Sequence, residues 1–453
     1  MIHSYKLNGL NIVLDTLSGS IHVVDEVAFD VINMYEHSTT DDIVMRITTD
    51  FGIDKSEVVE IIADIEELKN TGKLFSKGER PQKASAESTP LKALCLNISH
   101  VCNMRCEYCF AGQGEYGDNG QSLMPLETGK RAIDFLIENS KGRRNLDVDF
   151  FGGEPLLNWD VVKQIVLYAR EIEAEHGKNF RFTLTTNGLL IDDDVIKFTS
   201  EHMYNVVLSL DGKPETNDLM RKLADSNGSY DTIVPKLKKL VEARGGRDYY
   251  IRGTFTRHNI EFVDDILHIA DLGFRELSME PVVAASEADY AFAEADLEKL
   301  SEQYERLAME MLAREEEGRG FSFYHYTLNL EGGPCLHKRV AGCGVGTEYL
   351  AVTPSGELFP CHQFVGNDEF IMGDVWSGVD NDKLQEMFNE RDIYTIDECA
   401  DCWAKMYCSG GCAANSFNAA GSIDGIYKLG CELFKKRMEC AIMMQVARVM
   451  VKD

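Results

Sequence analysis

The middle of the chain alternates between short apolar segments and longer amphipathic ones. Six short segments between residues 91 and 285 predict strands: LKALCLNIS, DVDFFGG, FRFTLTTNG, NVVLSLDG, YYIRGTFT and ELSMEPV. Segments with helical spacing separate them, such as LETGKRAIDFLIENS and VVKQIVLYAREIEAEH. Six strand–helix units in series predict a parallel sheet, closed or partly closed into a barrel, with its chemistry at the C-terminal strand ends.

The first 75 residues predict a small separate domain. KLNGLNIVLDTLSGSIHVVD predicts two or three short strands with a turn at Ser18–Gly19, and three helical segments follow. This order resembles a winged helix. With 5 Lys or Arg against 14 Asp or Glu in residues 1–75, DNA is not expected as the partner. A peptide that adds a strand to the exposed sheet edge is a plausible partner, and a purely structural role stays open.

The other segments complete the expected domain order. Residues 76–90 are polar, with Pro81 and Pro90, and predict a linker. Residues 91–330 form the barrel, ending in a long acidic helix and a connector. Residues 331–453 are rich in cysteine and glycine, which predicts a small domain organised by metal, with a C-terminal helix.

Charge and cysteine content narrow the function. The net charge of −29 disfavours a general nucleic-acid binder. No apolar run is long enough to span a bilayer and the N-terminus lacks a signal-peptide pattern, so a cytoplasmic location is expected. Thirteen cysteines in a reducing compartment, mostly clustered, favour metal over disulfides. Cys95 and Cys440 stand apart in apolar segments and are predicted core residues.

A compact loop after the first barrel strand carries Cys102, Cys106 and Cys109. Three thiolates within eight residues can wrap one iron–sulfur cubane, each binding one iron. A structural zinc site would need a fourth ligand. His100 is the nearest candidate, but its position just before Cys102 is awkward for closing the same tetrahedron, so zinc is the weaker alternative.

The spacing C-x3-C-x2-C, with Tyr108 before the last cysteine, resembles the radical S-adenosylmethionine (radical SAM) enzymes. GGEP at 152–155, TTNG at 185–188 and SLDG at 209–212 follow at the next strand ends, in the order of that family. The resemblance implies a [4Fe–4S] cluster whose open iron binds S-adenosylmethionine, which is cleaved to a hydrogen-abstracting deoxyadenosyl radical. It also implies cofactor contacts from Tyr108, Gly152, Gly153, Glu154, Asn187, Ser209 and Arg252.

Those contacts differ in how firmly the residues support them. Glu154 would accept from the methionine ammonium, and glycines allow close approach of the backbone. Asn187 and Ser209 are candidates for ribose or carboxylate contacts, and Arg252 for the methionine carboxylate. For these three, a strand-end polar residue that satisfies local backbone is an equally good interpretation.

Seven C-terminal cysteines form a pattern that resembles the SPASM domain, which usually holds auxiliary [4Fe–4S] clusters. The resemblance implies one cluster on Cys399, Cys402, Cys408 and Cys431, and a second on Cys343, Cys361 and Cys412. Cys335 is a candidate fourth ligand of the second cluster; without it, one auxiliary iron would be open to a substrate thiolate. In sulfatase maturases an acidic residue that acts as a base is expected at the position of His362. Its absence weakens the interpretation of this chain as an alcohol- or thiol-oxidising maturase.

The whole chain resembles the maturases of SCIFF peptides, short cysteine-rich precursors made by ribosomes. That resemblance implies an α/β fold: a partial (β/α)6 TIM-like barrel, an N-terminal winged-helix-like peptide-binding domain and a C-terminal cysteine-rich SPASM domain. It implies thioether crosslinks from a cysteine sulfur to an α-carbon, a precursor bound through its leader, and an electron donor such as a flavodoxin or ferredoxin. Epimerisation, carbon–carbon crosslinking and a zinc-binding peptide scaffold remain alternatives.

Overall fold

The computed structural model describes residues 1–78, 90–116, 122–328 and 336–450. Three antiparallel strands and three helices form the N-terminal region: β1 (Ile2–Leu7), β2 (Leu10–Asp15), β3 (Ile21–Val24), α1 (Glu26–Met34), α2 (Thr40–Phe51) and α3 (Lys55–Asn70). The predicted turn is confirmed, since the N–H of Gly19, at φ +76°, donates to Asp15 O at 2.8 Å. Most of the predicted linker, residues 79–89, lies outside the described residues.

The N-terminal sheet is buried on both faces. Val13 packs into a small core formed with α1, α2 and α3. On the opposite face, Tyr5, Leu7, Ile12 and Leu14 belong to the main core of the molecule. The N-terminal region is therefore docked on the rest of the chain rather than loosely tethered to it.

All six predicted barrel strands are confirmed. They are β4 (Ala93–Ser99), β6 (Asn145–Gly152), β7 (Asn179–Thr186), β8 (Asn205–Ser209), β10 (Tyr249–Phe255) and β11 (Glu276–Pro281), parallel and adjacent in chain order. A seventh short strand, β12 (Ser322–Phe323), extends the sheet past β11. A separate pair, β5 (Met104–Cys106) and β9 (Arg221–Leu223), holds the cysteine loop.

Amphipathic helices connect the strands. They are α4 (Leu126–Asn139), α5 (Trp159–Ile172), α6 (Asp193–His202), α7 (Pro214–Met220), α8 (Tyr230–Ala243), α9 (Val263–Asp271) and the predicted acidic helix α10 (Leu297–Glu316). Apolar and polar residues alternate along β6, which shows which face of the sheet the helices cover. Leu146, Val148 and Phe150 are fully buried on the helix side, whereas Asp147 and Asp149 are partly exposed. The polar alternate positions line the inside of the barrel.

The C-terminal region continues the same sheet instead of standing apart. Its elements are α11 (Leu336–Ala341), β13 (Tyr349–Val352), β14 (Glu357–Phe359), β15 (Gly373–Asp374), β16 (Gly378–Val379), α12 (Asp382–Glu390), α13 (Lys405–Cys408), α14 (Ala413–Ala420) and the predicted C-terminal helix α15 (Lys428–Met450). β13 pairs in parallel with β4 and covers its free edge, giving eleven strands in one sheet. The predicted boundary after residue 330 is therefore crossed by sheet hydrogen bonds. In the described parts of the chain, no helix is long and apolar enough to cross a membrane.

Candidate functional site

The three-cysteine loop leaves the C-terminal end of β4 and brings its thiols together. Burial, followed by the negative charges of Glu154, Cys106 and Cys109, raises the pKa of the Cys102 thiol to about 12. Two backbone N–H groups point at sulfur: Met104 N lies 3.5 Å from Cys102 Sγ, and Gln113 N lies 3.3 Å from Cys109 Sγ. Such mutually repelling, half-buried thiols suit a multiply charged cation that stabilises their deprotonated form.

GGEP packs directly on this loop. Gly153 N donates to Ser99 O at 2.7 Å, and Glu154 N donates to Val101 O at 2.9 Å. A Cβ at Gly152 would stand 2.4 Å from Ser99 O, and one at Gly153 would stand 2.3 Å from Val101 O. Both glycines are thus required by the approach of the cysteine loop itself, in addition to any ligand contact.

Glu154 is fully buried and ties the ends of β6 and β7 together. Its Oε1 accepts from Leu156 N at 3.0 Å and from Thr186 Oγ1 at 2.8 Å, while Oε2 accepts from Asn187 N at 2.8 Å. Burial raises its pKa and these hydrogen bonds oppose that rise. One lone pair on Oε2 remains for an ammonium group, which fits the predicted role.

Asn187 reaches the cysteine loop from β7. Its Nδ2 donates to Asn103 Oδ1 at 2.8 Å and lies 3.8 Å from Cys102 Sγ. Ser209 ends β8 and stands beside Arg252 of β10 in the parallel register. The Arg252 side chain is exposed at the mouth of the barrel. The structure thus brings all three candidates to the edge that carries GGEP.

Tyr108 takes part in a buried polar network that the sequence alone did not reveal. Its hydroxyl donates to Asp211 Oδ2 at 2.5 Å and accepts from Arg221 Nη1 at 3.1 Å. Asp211 and Arg221 are both buried, and Arg221 pairs with Cys106 in the β5–β9 register. SLDG contains Asp211, yet only the short pairing of β5 with β9 shows that Arg221 completes the network.

His362 faces the barrel next to Cys361. Tyr349 Oη lies 3.2 Å from His362 Nδ1, and the ring packs against Phe110 and Phe151 with centroid separations of 5.7 and 4.9 Å. Burial, followed by the charge of Arg252, lowers the pKa of His362 to about 4. His362 is therefore neutral and packed, with no carboxylate at this position.

The seven cysteines of the SPASM-like pattern fall into two groups. Burial, followed by the charges of nearby Cys412 and Cys343, raises the pKa of the Cys361 thiol to about 12. In the other group, burial, followed by the charges of Cys431, Cys399 and Cys402, raises the pKa of the Cys408 thiol to about 12. These are the two ligand sets implied by the SPASM resemblance. Cys335 lies outside the described residues, whereas Cys95 and Cys440 are buried core residues as predicted.

The donor chemistry fits iron–sulfur clusters. Within the described ranges, no three His, Cys, Asp or Glu side chains are arranged to hold one metal ion. A cubane places each thiolate on its own iron, so its ligands need not converge on a point as zinc ligands do. Cys102, Cys106 and Cys109 would hold the radical cluster, and the two C-terminal groups would hold auxiliary clusters.

Comparison with known proteins defines the class. Residues 96–270, which include the cysteine loop, GGEP, TTNG and SLDG, match the family model of the Radical SAM superfamily. The chain therefore carries a radical SAM domain, as its motifs predicted.

Similar proteins extend beyond that domain. The chain is 22% identical to the radical SAM cyclopropyl synthase TigE of Paramaledivibacter caminithermalis, over 93% of this chain and 90% of TigE. It is 26% identical to the cysteine-type anaerobic sulfatase-maturating enzyme of Clostridium novyi, over 77% of this chain and 94% of that enzyme. The structure of native anSMEcpe with bound AdoMet and Cp18Cys peptide superposes with a TM-score of 0.65 at 20% identity, covering 80% of this chain and all of that chain. That likeness confirms the mixed α/β barrel fold.

Proposed function

We propose that this chain is a radical SAM maturase that installs thioether crosslinks, from cysteine sulfur to an α-carbon, in a ribosomally made cysteine-rich peptide. The proposal is supported by three groups of cysteines whose members lie near one another: the radical loop and the two C-terminal sets. Auxiliary clusters can accept an electron and bind a substrate sulfur. Thioether formation needs both, whereas simple cleavage of S-adenosylmethionine needs neither.

The cofactors would be three [4Fe–4S] clusters and S-adenosylmethionine. Glu154, Asn187, Ser209 and Arg252 lie at the edge where the methionine and ribose groups would bind. When bound, S-adenosylmethionine and the radical cluster would supply the group that abstracts a hydrogen atom, and the auxiliary clusters would supply a one-electron acceptor. The chain's own residues orient the substrate, exclude water and move protons. Whether Cys335 completes the second auxiliary set decides whether an open iron is available to a substrate thiolate.

Product mass tests this function. Reduced, cluster-loaded protein with S-adenosylmethionine and a cysteine-rich precursor should yield deoxyadenosine and a peptide lighter by about 2 Da per crosslink. The crosslinked cysteine should resist alkylation by iodoacetamide. Deoxyadenosine with no change in peptide mass would refute the crosslinking proposal and leave a radical SAM enzyme with another reaction, such as epimerisation.

Carbon–carbon bond formation is the second candidate. It is favoured by the similarity to TigE, whose name describes a cyclopropyl synthase. It would also remove two hydrogens from the peptide, so mass alone does not separate it from a thioether. Alkylation does, because every cysteine of a carbon–carbon product stays reactive. A zinc-binding scaffold is tested by iron analysis, since three cubanes bring about twelve irons per chain.

The N-terminal region would bind the precursor leader. β3 pairs only with β2 among the described residues, so its outer edge is available to an added strand. β1 is unsuitable, because His3 stacks on Trp403 at 3.8 Å and Tyr5 Oη donates to Glu439 O at 3.0 Å. Deleting residues 1–75 would expose the main core, so point substitutions are the better test.

Two substitutions separate the β3 edge from the rest of the domain. Val23→Asp places a charge on the exposed face of β3, and Met45→Asp places a charge at an exposed position of α2. We expect Val23→Asp to weaken leader binding about tenfold, as for loss of about 1.4 kcal/mol at an interface. Met45→Asp should leave it unchanged. Equal affinities of both variants and wild type, measured by fluorescence anisotropy, would refute binding at β3.

A further inference from the structure

A group of ionisable side chains lies around β11, at the opposite end of the series of barrel strands from β4 and its cysteine loop. His325 Nε2 lies 3.3 Å from Glu280 Oε1 and 3.1 Å from Ser278 Oγ. Arg437 Nη1, from α15, donates to Glu280 Oε2 at 3.3 Å. Each carboxylate oxygen therefore has its own fixed partner. The Glu280 side chain is 38% exposed in front of His325 and Arg437, which are only 9% and 13% exposed.

The surrounding charges hold this set in one protonation state. Burial alone would raise the pKa of Glu280, but the charges of His325, Arg437 and Arg252 lower it below its ordinary value. Burial lowers the pKa of His325 to about 4, although the charge of Glu280 opposes the effect. At neutral pH the Glu280 carboxylate is thus ionised and can accept a proton only transiently, because its lowered pKa disfavours the protonated form.

Glu280 lies at the reacting edge of the sheet. It is the penultimate residue of β11, and its neighbour in the parallel register, Thr254, donates its N–H to Asp211 Oδ1 at 3.0 Å. The charge of Arg252, which follows Ile251 on β10, lowers the pKa of both Glu280 and His362, so Arg252 is near both side chains. Glu280 therefore lies at the same strand-end edge of the sheet as Arg252 and Asp211.

Other carboxylates of the barrel are less suitable as proton acceptors. Glu154 and Asp211 are fully buried and are held by backbone or hydroxyl donors, so a peptide cannot reach their oxygens as it can reach the partly exposed Glu280. Asp149 lies three residues before Gly152 on β6, about 10 Å deeper in the barrel at 3.3 Å per residue. Glu280 alone among these combines partial exposure, an edge position and two fixed partners.

We propose that Glu280 accepts the proton released from the peptide during crosslinking, with His325 and Arg437 as positioning residues. The inference rests on the proposed function. Forming one thioether breaks one S–H and one C–H bond and makes one C–S bond. The bound cofactor would supply the acceptor of one hydrogen atom and an auxiliary cluster would supply the acceptor of one electron, so the remaining proton goes to Glu280.

Glu280→Gln in the full-length, cluster-loaded protein tests the role, with Glu276→Gln, on the same face of β11 but at its other end, as the matched control. Precursor affinity, and deuterium transfer from an α-deuterated acceptor into deoxyadenosine, should stay within about twofold of wild type. Crosslinks per deoxyadenosine should fall about 10²-fold, the low end for general-base catalysis. The residual crosslinking of Glu280→Gln should rise with pH as hydroxide replaces the carboxylate, and Glu280→Asp should restore part of it.

The outcomes separate this inference from the proposed function. If wild-type protein forms the crosslink and Glu280→Gln keeps the same crosslinks per deoxyadenosine, the acceptor role is overturned and the function stands. Loss of precursor affinity or of deuterium transfer in Glu280→Gln would also overturn it, since the residue would then only bind or place the peptide. If wild-type protein forms no product lighter by about 2 Da, the function fails and the acceptor role fails with it.

Discussion

The carboxylate of Glu154 and the backbone N–H of Asn187 are joined by a 2.8 Å hydrogen bond that links the ends of β6 and β7. Through this bond, the residue expected to meet the cofactor ammonium also sets the position of a second expected cofactor residue. The Asn187 side chain in turn holds Asn103 of the cysteine loop. Three motifs that are separated along the chain therefore form one connected unit.

Glu154→Gln should disturb that unit. The amide nitrogen of glutamine cannot accept, so one buried donor, Asn187 N–H or Leu156 N–H, loses its partner. We expect about tenfold weaker binding of S-adenosylmethionine, equivalent to about 1.4 kcal/mol. Isothermal titration of cluster-loaded protein measures it, with Glu127→Gln on exposed α4 as the control. Wild-type affinity in Glu154→Gln would show that the carboxylate is not needed at this site.

Gly153→Ala should damage the radical loop specifically. Its Cβ would meet Val101 O at 2.3 Å and Val101 C at 2.6 Å, and these are backbone atoms that move only with the loop. Overpacking of this kind costs about 1–3 kcal/mol, so we expect loss of the iron bound by Cys102, Cys106 and Cys109. Gly142→Ala, where the new Cβ meets nothing within 4 Å, should keep full iron content. Equal iron in both variants would contradict the packing argument.

Alternation of short apolar segments with longer amphipathic ones was enough to predict the six barrel strands, because the helices bury the apolar strand positions, and β6, β7 and β8 end at GGEP, TTNG and SLDG. The ligand sets implied by the SPASM resemblance stay a prediction, which agrees with Cys412 and Cys343 lying near Cys361 and with Cys431, Cys399 and Cys402 lying near Cys408. Local patterns succeed where the relevant contacts are made within a strand–helix unit or between neighbouring units.

Contacts between distant segments could not be predicted in this way. Arg221 reaches Tyr108 only because β9 pairs with β5, and strands of three residues carry almost no periodic signal. Arg437 meets Glu280 across 157 residues of chain, and β13 joins β4 across more than 250. Such pairings depend on how whole elements pack, which no local window of sequence contains.

Single cysteine substitutions should separate the two auxiliary sets. Cys408→Ser removes a thiolate from the set that contains Cys431, and Cys412→Ser removes one from the set that contains Cys361. Each variant should lose up to about four irons per chain, since a cubane contains four. The EPR spectra of the reduced variants should lack different signals. Cys440→Ala, at a buried core position, should retain all iron. Loss of the same EPR signal in Cys408→Ser and Cys412→Ser would contradict the two-set assignment.

Asp15 should stabilise the N-terminal region in a pH-dependent way. Its Oδ2 accepts from Ser76 N and its Oδ1 from Ser76 Oγ, both at 2.7 Å. Burial would raise its pKa, but these bonds and those from Ser18 and Leu17 lower it below the ordinary 3.8. Because the folded pKa lies below the unfolded one, the stabilisation is complete above pH 3.8 and is lost as pH falls through the folded pKa.

Asp15→Asn should therefore lower the local stability of β1 and β2 by about 1–3 kcal/mol at neutral pH, through loss of charge-assisted hydrogen bonds. Hydrogen exchange of peptides from residues 1–24 measures this as roughly tenfold or greater acceleration. In wild-type protein the protection free energy of the same peptides should be equal at about pH 5 and about pH 8, because Asp15 stays ionised throughout. Asp64→Asn, on the exposed face of α3, should exchange like wild type. A fall in wild-type protection between pH 8 and pH 5 would show that another group, and not Asp15, controls the stability of this region.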